Sequence, residues 1–206
     1  MKVKICGLRT EEAVLAAEDA GADFLGFIFY EKSHRHVLPE EVRGLTKHVQ
    51  RAKTVGVFVD APLDEVNAAA DFCSLDFVQL HGHESAAYAR AVCRPVIKAF
   101  RWGDDFSAEE ANDYPAEIIL LDSFSKDAVG GTGQRFRWRE AAEETARLEK
   151  PLLVAGGIAS GNVREAEEVF RPYGVDVSGS LEIEKRKSVE RIREFMAVVQ
   201  KRRIPE

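Results

Sequence analysis

The chain of 206 residues is 45% hydrophobic and 31% charged, and 29 Lys plus Arg against 35 Asp plus Glu leave a formal net charge of −6. That composition is ordinary for a soluble globular protein. No window approaches the ~18 uninterrupted apolar residues of a membrane span, and no basic stripe interleaved with aromatics offers a nucleic-acid footprint.

From the N-terminus, Val3–Cys6 reads as a short strand, and it runs into Gly7 too soon to hold a signal-peptide apolar core. Further strand-like runs follow at Asp23–Phe29, Thr54–Val59, Phe77–Leu80, Val96–Phe100, Ile118–Leu121, Leu152–Ala155 and Val175–Val177. Most are nearly continuously apolar, which suits strands covered on both faces in a parallel sheet. The helical patterns between them are Glu11–Ala20, Pro39–Gln50, Leu63–Ala70, Glu84–Val92, Ser107–Asn112, Trp138–Leu148, Asn162–Phe170 and Val189–Lys201. Thr10, Ser107 and Asn162 are placed to cap the helices they precede. Three cysteines, Cys6, Cys73 and Cys93, lack metal-site spacing and form no disulfide framework, so a reducing cytoplasm is expected. Trp102 and Trp138 are read as packing residues.

Strict β-α alternation predicts a parallel sheet, and eight repeats are the number that closes into a (β/α)8 TIM barrel of eight parallel strands. No Pro/Gly/Ser-rich linker marks a boundary, so residues 1–206 are read as one barrel domain. An open doubly wound sheet would carry Gly-x-Gly-x-x-Gly after its first strand, and Cys6-Gly7-Leu8-Arg9-Thr10 does not match.

In such a barrel the active site lies at the C-terminal ends of the strands. Cys6, His81 and Asp122 stand at or just after those ends, and Asp176 interrupts the eighth strand. Strand alternation puts Lys4 and Cys6 inside the barrel and sends Val3 and Ile5 toward the helices. Gly156-Gly157 after the seventh strand and Gly179-Ser180 after the eighth leave backbone N–H groups uncovered, which predicts a phosphorylated small-molecule substrate. Gly130-Gly131-Thr132-Gly133 is a further candidate loop or anion contact.

Taken in order, Lys4-Ile5-Cys6-Gly7-Leu8, Phe27-Ile28-Phe29, Ser33-His34-Arg35-His36-Val37, Gly56-Val57-Phe58-Val59, Val78-Gln79-Leu80-His81-Gly82, Leu120-Leu121-Asp122-Ser123, Gly130-Gly131-Thr132-Gly133, Ala155-Gly156-Gly157-Ile158 and Gly174-Val175-Asp176-Val177-Ser178 resemble the phosphoribosylanthranilate isomerase family, barrel enzymes of tryptophan biosynthesis. The resemblance spans seven of the eight units. Two loops differ from the family's pattern. Ser178-Gly179-Ser180-Leu181-Glu182 carries its glycine one place early, and Glu184-Lys185-Arg186-Lys187-Ser188 lacks the usual Pro, Gly and Asp.

The resemblance implies an Amadori rearrangement that needs an acid, a base and neither metal nor cofactor. Asp122 is then the general acid, which must retain its proton near neutral pH, and Cys6 the general base. A thiol of pKa near ~8.5 needs help to act as a base, and Lys4 is the candidate to stabilise its thiolate unless it pairs with Asp176 instead. Arg35 is expected on the anthranilate carboxylate, because a guanidinium offers two parallel hydrogen bonds. His81 and Asp176 are expected beside the sugar, and Gly156, Gly157, Gly179 and Ser180 on the phosphate. Other readings of the barrel are a sugar-phosphate isomerase of histidine biosynthesis, a thiamin-phosphate-type synthase, or a silent phosphate-binding scaffold. The histidine enzymes would call for carboxylates after the first and fifth strands, where Cys6 and Ala99-Phe100-Arg101 stand. Monomer and homodimer both remain open.

Overall fold

The computed structural model describes residues 1–103, 105–122 and 133–201, with the backbone alone at 133–137. Its strands are β1 (Lys2–Cys6), β2 (Phe24–Ile28), β3 (Lys53–Phe58), β4 (Phe77–Leu80), β5 (Val96–Arg101), β6 (Ile118–Asp122), β7 (Leu152–Ala155) and β8 (Gly174–Val177). They are all parallel and close in order into a barrel, with β8 pairing back onto β1 at Lys4↔Asp176 and Ile5↔Val177. The helices are α1 (Glu11–Asp19), α2 (Pro39–Thr46), α3 (Leu63–Phe72), α4 (Ala86–Ala91), α5 (Ala108–Asp113), α6 (Gly133–Thr145), α7 (Val163–Phe170) and α8 (Val189–Gln200). A two-stranded hairpin, β9 (Glu182–Ile183) with β10 (Arg186–Lys187), interrupts the run between β8 and α8.

Alternation divides the apolar residues into two layers. Phe24, Val55, Ile97, Leu120 and Leu153 fill the barrel, while Val3, Ile5, Leu25, Ile119 and Val154 face the helices. Helix α8 shows the complementary pattern. Its buried residues Ile192, Phe195, Met196 and Val199 recur at three- and four-residue spacing, and Ser188 caps it by accepting a bond from the Arg191 N–H. Each fully buried side chain of this size contributes about 1.5–3 kcal/mol of transfer free energy. The tryptophans pack as expected, Trp138 against Phe170 and Trp102 against Phe106.

Helix boundaries differ from the sequence reading where a side chain has other work. Helix α4 starts at Ala86 rather than Glu84, because the Glu84 carboxylate turns inward onto Lys98 Nζ at 2.8 Å and Ser85 takes over as cap. Helix α2 stops at Thr46, four residues before Gln50, whose N–H instead goes to the Glu18 carboxylate. Thr10 and Ser107 cap α1 and α5 as expected. Asn162 does not cap α7 through its side chain, which ties down the preceding loop: Oδ1 accepts from the Ala159 N–H and Nδ2 donates to the Gly157 carbonyl. Gly130, Gly131 and Thr132 lie outside the described residues, and Gly133 opens α6. No helix among the described residues is long and apolar enough to cross a membrane.

Candidate active site

The C-terminal ends of the strands surround a cavity of about 460 Å³ whose lining includes Cys6, Arg35, His81, Asp122, Gly156, Gly157, Asp176, Gly179 and Ser180. The structure thus gathers Cys6, Arg35, His81, Asp122, Asp176 and the loops at Gly156-Gly157 and Gly179-Ser180 around one space, while Gly130, Gly131 and Thr132 lie outside the described residues. Strand parity is the reason. Cys6, Gln79, Asp122 and Asp176 share the inward phase of their strands with the barrel-filling residues, and His81 continues that phase just past β4. A larger groove of about 610 Å³ between α2 and α3 reaches Lys53 at the start of β3, so it opens at the opposite end of the barrel.

Cys6 is buried at the floor of the cavity. Burial pushes its thiol up, while the ammonium groups of Lys4 and Lys187 pull the other way. Lys4 is itself fully buried, and its Nζ donates to Asp176 Oδ1 at 2.8 Å. Burial works to lower Lys4; the neighbouring Asp176, with Cys6 behind it, outweighs that and keeps it an ammonium. Of the two roles open to Lys4, the structure therefore shows the pairing with Asp176, alongside a weaker hold on the sulfur. The space above these groups depends on Gly26, paired with Cys6 across β1 and β2: a Cβ there would stand 2.9 Å from the sulfur and 3.2 Å from Lys4 Nζ.

Across the cavity, Asp122 ends β6 with its side chain 28% exposed, and His81 Nε2 lies 3.8 Å from its Oδ2. Burial lowers the His81 pKa, against the opposing pull of Asp122 and Asp176, so the ring is neutral at neutral pH. Its Nδ1 lies 2.9 Å from Gln79 Nε2.

Arg35 does not stand alone at the rim. Its Nε and one terminal nitrogen meet Glu182 at 2.5 and 2.9 Å, and Lys187 Nζ reaches the same carboxylate at 2.6 Å. Burial works upward on Glu182, but the bonds from Arg35 and Lys187 hold it down to about 2. Two cations around one anion leave this wall of the cavity net positive, a suitable surface for an anionic ligand. Lys187 also donates to the Ser178 carbonyl, and Ser178 Oγ donates to the Cys6 carbonyl at 2.9 Å.

The glycine loops face the same space. Gly156 and Gly157 both adopt positive φ, at 84° and 77°, which bends the backbone away from β7 in a way side chains disfavour. Gly179–Leu181 forms a 3₁₀ turn, and Gly179 needs no positive φ there, so moving the glycine by one position leaves the turn intact. Ser180 Oγ donates to the Ile158 carbonyl at 2.6 Å and fastens one loop to the other. The N–H groups of Gly157, Gly179 and Ser180 make no hydrogen bond within the described residues, as an anion site requires.

Gln79, Ser178, Glu182 and Lys187 escape the sequence reading. Gln79 had one available signal, an uncharged polar residue in inward phase with His81. Lys187 is passed over because the run Lys185-Arg186-Lys187 reads as solvated charge until the hairpin turns it under.

The sequence model of N-(5'phosphoribosyl)anthranilate (PRA) isomerase matches residues 3–198. The chain is 47% identical to an N-(5'-phosphoribosyl)anthranilate isomerase of Geobacter sp. (strain M21) over 205 residues, 97% of this chain and 98% of the relative. Among solved structures, the phosphoribosyl anthranilate isomerase of Thermus thermophilus superposes with a TM-score of 0.86 at 35% identity over 98% of this chain and 99% of that one. A second phosphoribosyl anthranilate isomerase, in complex with reduced 1-(o-carboxyphenylamino)-1-deoxyribulose 5-phosphate, gives 0.85 at 32% identity over the same shares.

Proposed function

The chain belongs to the N-(5'-phosphoribosyl)anthranilate isomerase family, and from that premise we propose that Cys6 is the general base and Asp122 the general acid of its reaction. The enzyme is an isomerase of tryptophan biosynthesis, acting on phosphoribosylanthranilate. The observation that carries the assignment is one cavity with Cys6 at its floor and Asp122 in its lining, beside a cationic rim and glycine loops where the N–H groups of Gly157, Gly179 and Ser180 make no hydrogen bond among the described residues.

Asp122 gives its proton to the ribose ring oxygen, the C1′–O bond breaks, and the nitrogen lone pair closes a Schiff base. Cys6 then takes the C2′ proton, and the electrons of that bond shift to form an enolamine, which tautomerises to 1-(2-carboxyphenylamino)-1-deoxyribulose 5-phosphate. Arg35, held in orientation by Glu182, meets the anthranilate carboxylate. Gly156, Gly157, Gly179 and Ser180 present backbone N–H groups to the phosphate, while His81 and Asp176 border the sugar.

The test is loss of phosphoribosylanthranilate fluorescence, with Cys6→Ser and Asp122→Asn beside the parent. A drop of roughly 10²–10⁴-fold in each variant is the expected result. Because the Cys6 thiol lies above the ordinary range, kcat/KM of the parent should still be climbing at alkaline pH, where the thiolate accumulates. Variants that keep parental rates would remove both residues from the chemistry.

A further inference from the structure

Gln79 is 1% exposed, lies in β4, and points into the barrel on the same face as His81. Its Nε2 is 2.9 Å from His81 Nδ1, while its Oε1 is buried with no hydrogen-bond partner among the described residues. An orphaned buried acceptor is destabilising, and a Leu or Met would fill much the same volume without that cost. The polar atom of this side chain that does have a partner is the other one. That atom is the amide nitrogen on His81.

A carboxamide nitrogen can only donate, so Nδ1 of His81 must accept, and a neutral ring then carries its proton on Nε2. Nε2 is the atom 3.8 Å from Asp122 Oδ2. The charged groups bearing on the ring are Asp122 on β6, Asp176 on β8, Lys4 on β1 and Arg101 on β5. Asp122, the nearest of them to Nε2, favours the same tautomer that the hydrogen bond from Gln79 requires.

We propose that Gln79 is a positioning residue that fixes His81 as the Nε2–H tautomer, so that an N–H and not a lone pair faces Asp122. The consequence for catalysis rests on Asp122 acting as the acid. With the Nε2–H tautomer the ring has no basic atom on that side to take the acid's proton before the substrate does. Once the proton has gone to the sugar, the same N–H steadies the carboxylate left behind. The opposite tautomer would turn a proton acceptor onto the acid and compete with the ring oxygen.

The experiment is a long-range ¹H–¹⁵N correlation spectrum of histidine-labelled protein without ligand near neutral pH, with His81 assigned by its loss in His81→Asn. The parent should show a pyridine-like Nδ1 and a protonated Nε2. Gln79→Glu replaces the donor by an acceptor and should place a proton on Nδ1; Gln79→Met should leave a mixture. In the activity assay both variants should lose kcat by on the order of 10–10²-fold with little change in KM. A parent with its proton on Nδ1, a Met variant with parental kcat, or a loss carried by KM with the tautomer unchanged would each overturn the proposal. The spectrum of the parent reads the tautomer whether or not the enzyme turns over, so failure of the acid–base assignment is seen separately, in the Asp122→Asn rate.

Discussion

The sulfur of Cys6 has room only because residue 26 has no side chain. A methyl group there would approach to 2.9 Å from Sγ and 3.1 Å from Cys6 Cα, closer than real neighbours stand. Gly26→Ala should therefore displace the thiol while the barrel persists: about 1–3 kcal/mol of stability is lost to overpacking, and kcat falls on the order of 10²-fold. Thermal melts and steady-state rates on the same preparation check both halves. At this scale the sequence showed most of the site, since Cys6, Asp122 and Asp176 are reactive residues in inward phase within apolar strands. It could not show Glu182 as the partner of Arg35, a contact across 147 residues, nor Lys187 on the same carboxylate, because both depend on how one hairpin folds back.

The β9–β10 hairpin is the element least like its sequence signal. Its two turn residues, Glu184 and Lys185, both sit at positive φ, 48° and 62°, without the Asn or Gly that such a turn favours. Left-handed backbone costs an ordinary residue roughly 1–2 kcal/mol. Glu184→Asn with Lys185→Gly should therefore raise stability by about 1 kcal/mol or more, read as a higher denaturant midpoint at unchanged slope. The strands were legible within a residue or two because continuous apolar runs between breakers leave little choice. The start of α4 was not, since a Glu ahead of a helical pattern looks like first-turn charge, and only the fold reveals a buried lysine waiting for it at 2.8 Å.

For the molecule as a whole, Glu182 links acidity to folding. Its pKa, down at about 2 in the folded chain against an ordinary 4.5, means protons bind the unfolded chain first. The resulting stability is present above pH ~4.5 and is lost as pH falls toward 2. The difference corresponds to at most about 3 kcal/mol, so Glu182→Gln should be less stable than the parent by that order near pH 7 and converge with it in strong acid, as denaturant titrations across pH would show.

Lys4 and its carboxylate are 172 residues apart in the chain, on the strands that meet last when the barrel closes. During synthesis the first strand emerges long before the eighth, and a ring that sealed itself without β8 would bury an ammonium alone, at a cost of several kcal/mol. The nascent chain thus has a reason to keep its first strand in water until Asp176 arrives, and premature closure is penalised by the same pair that lies beneath the catalytic sulfur.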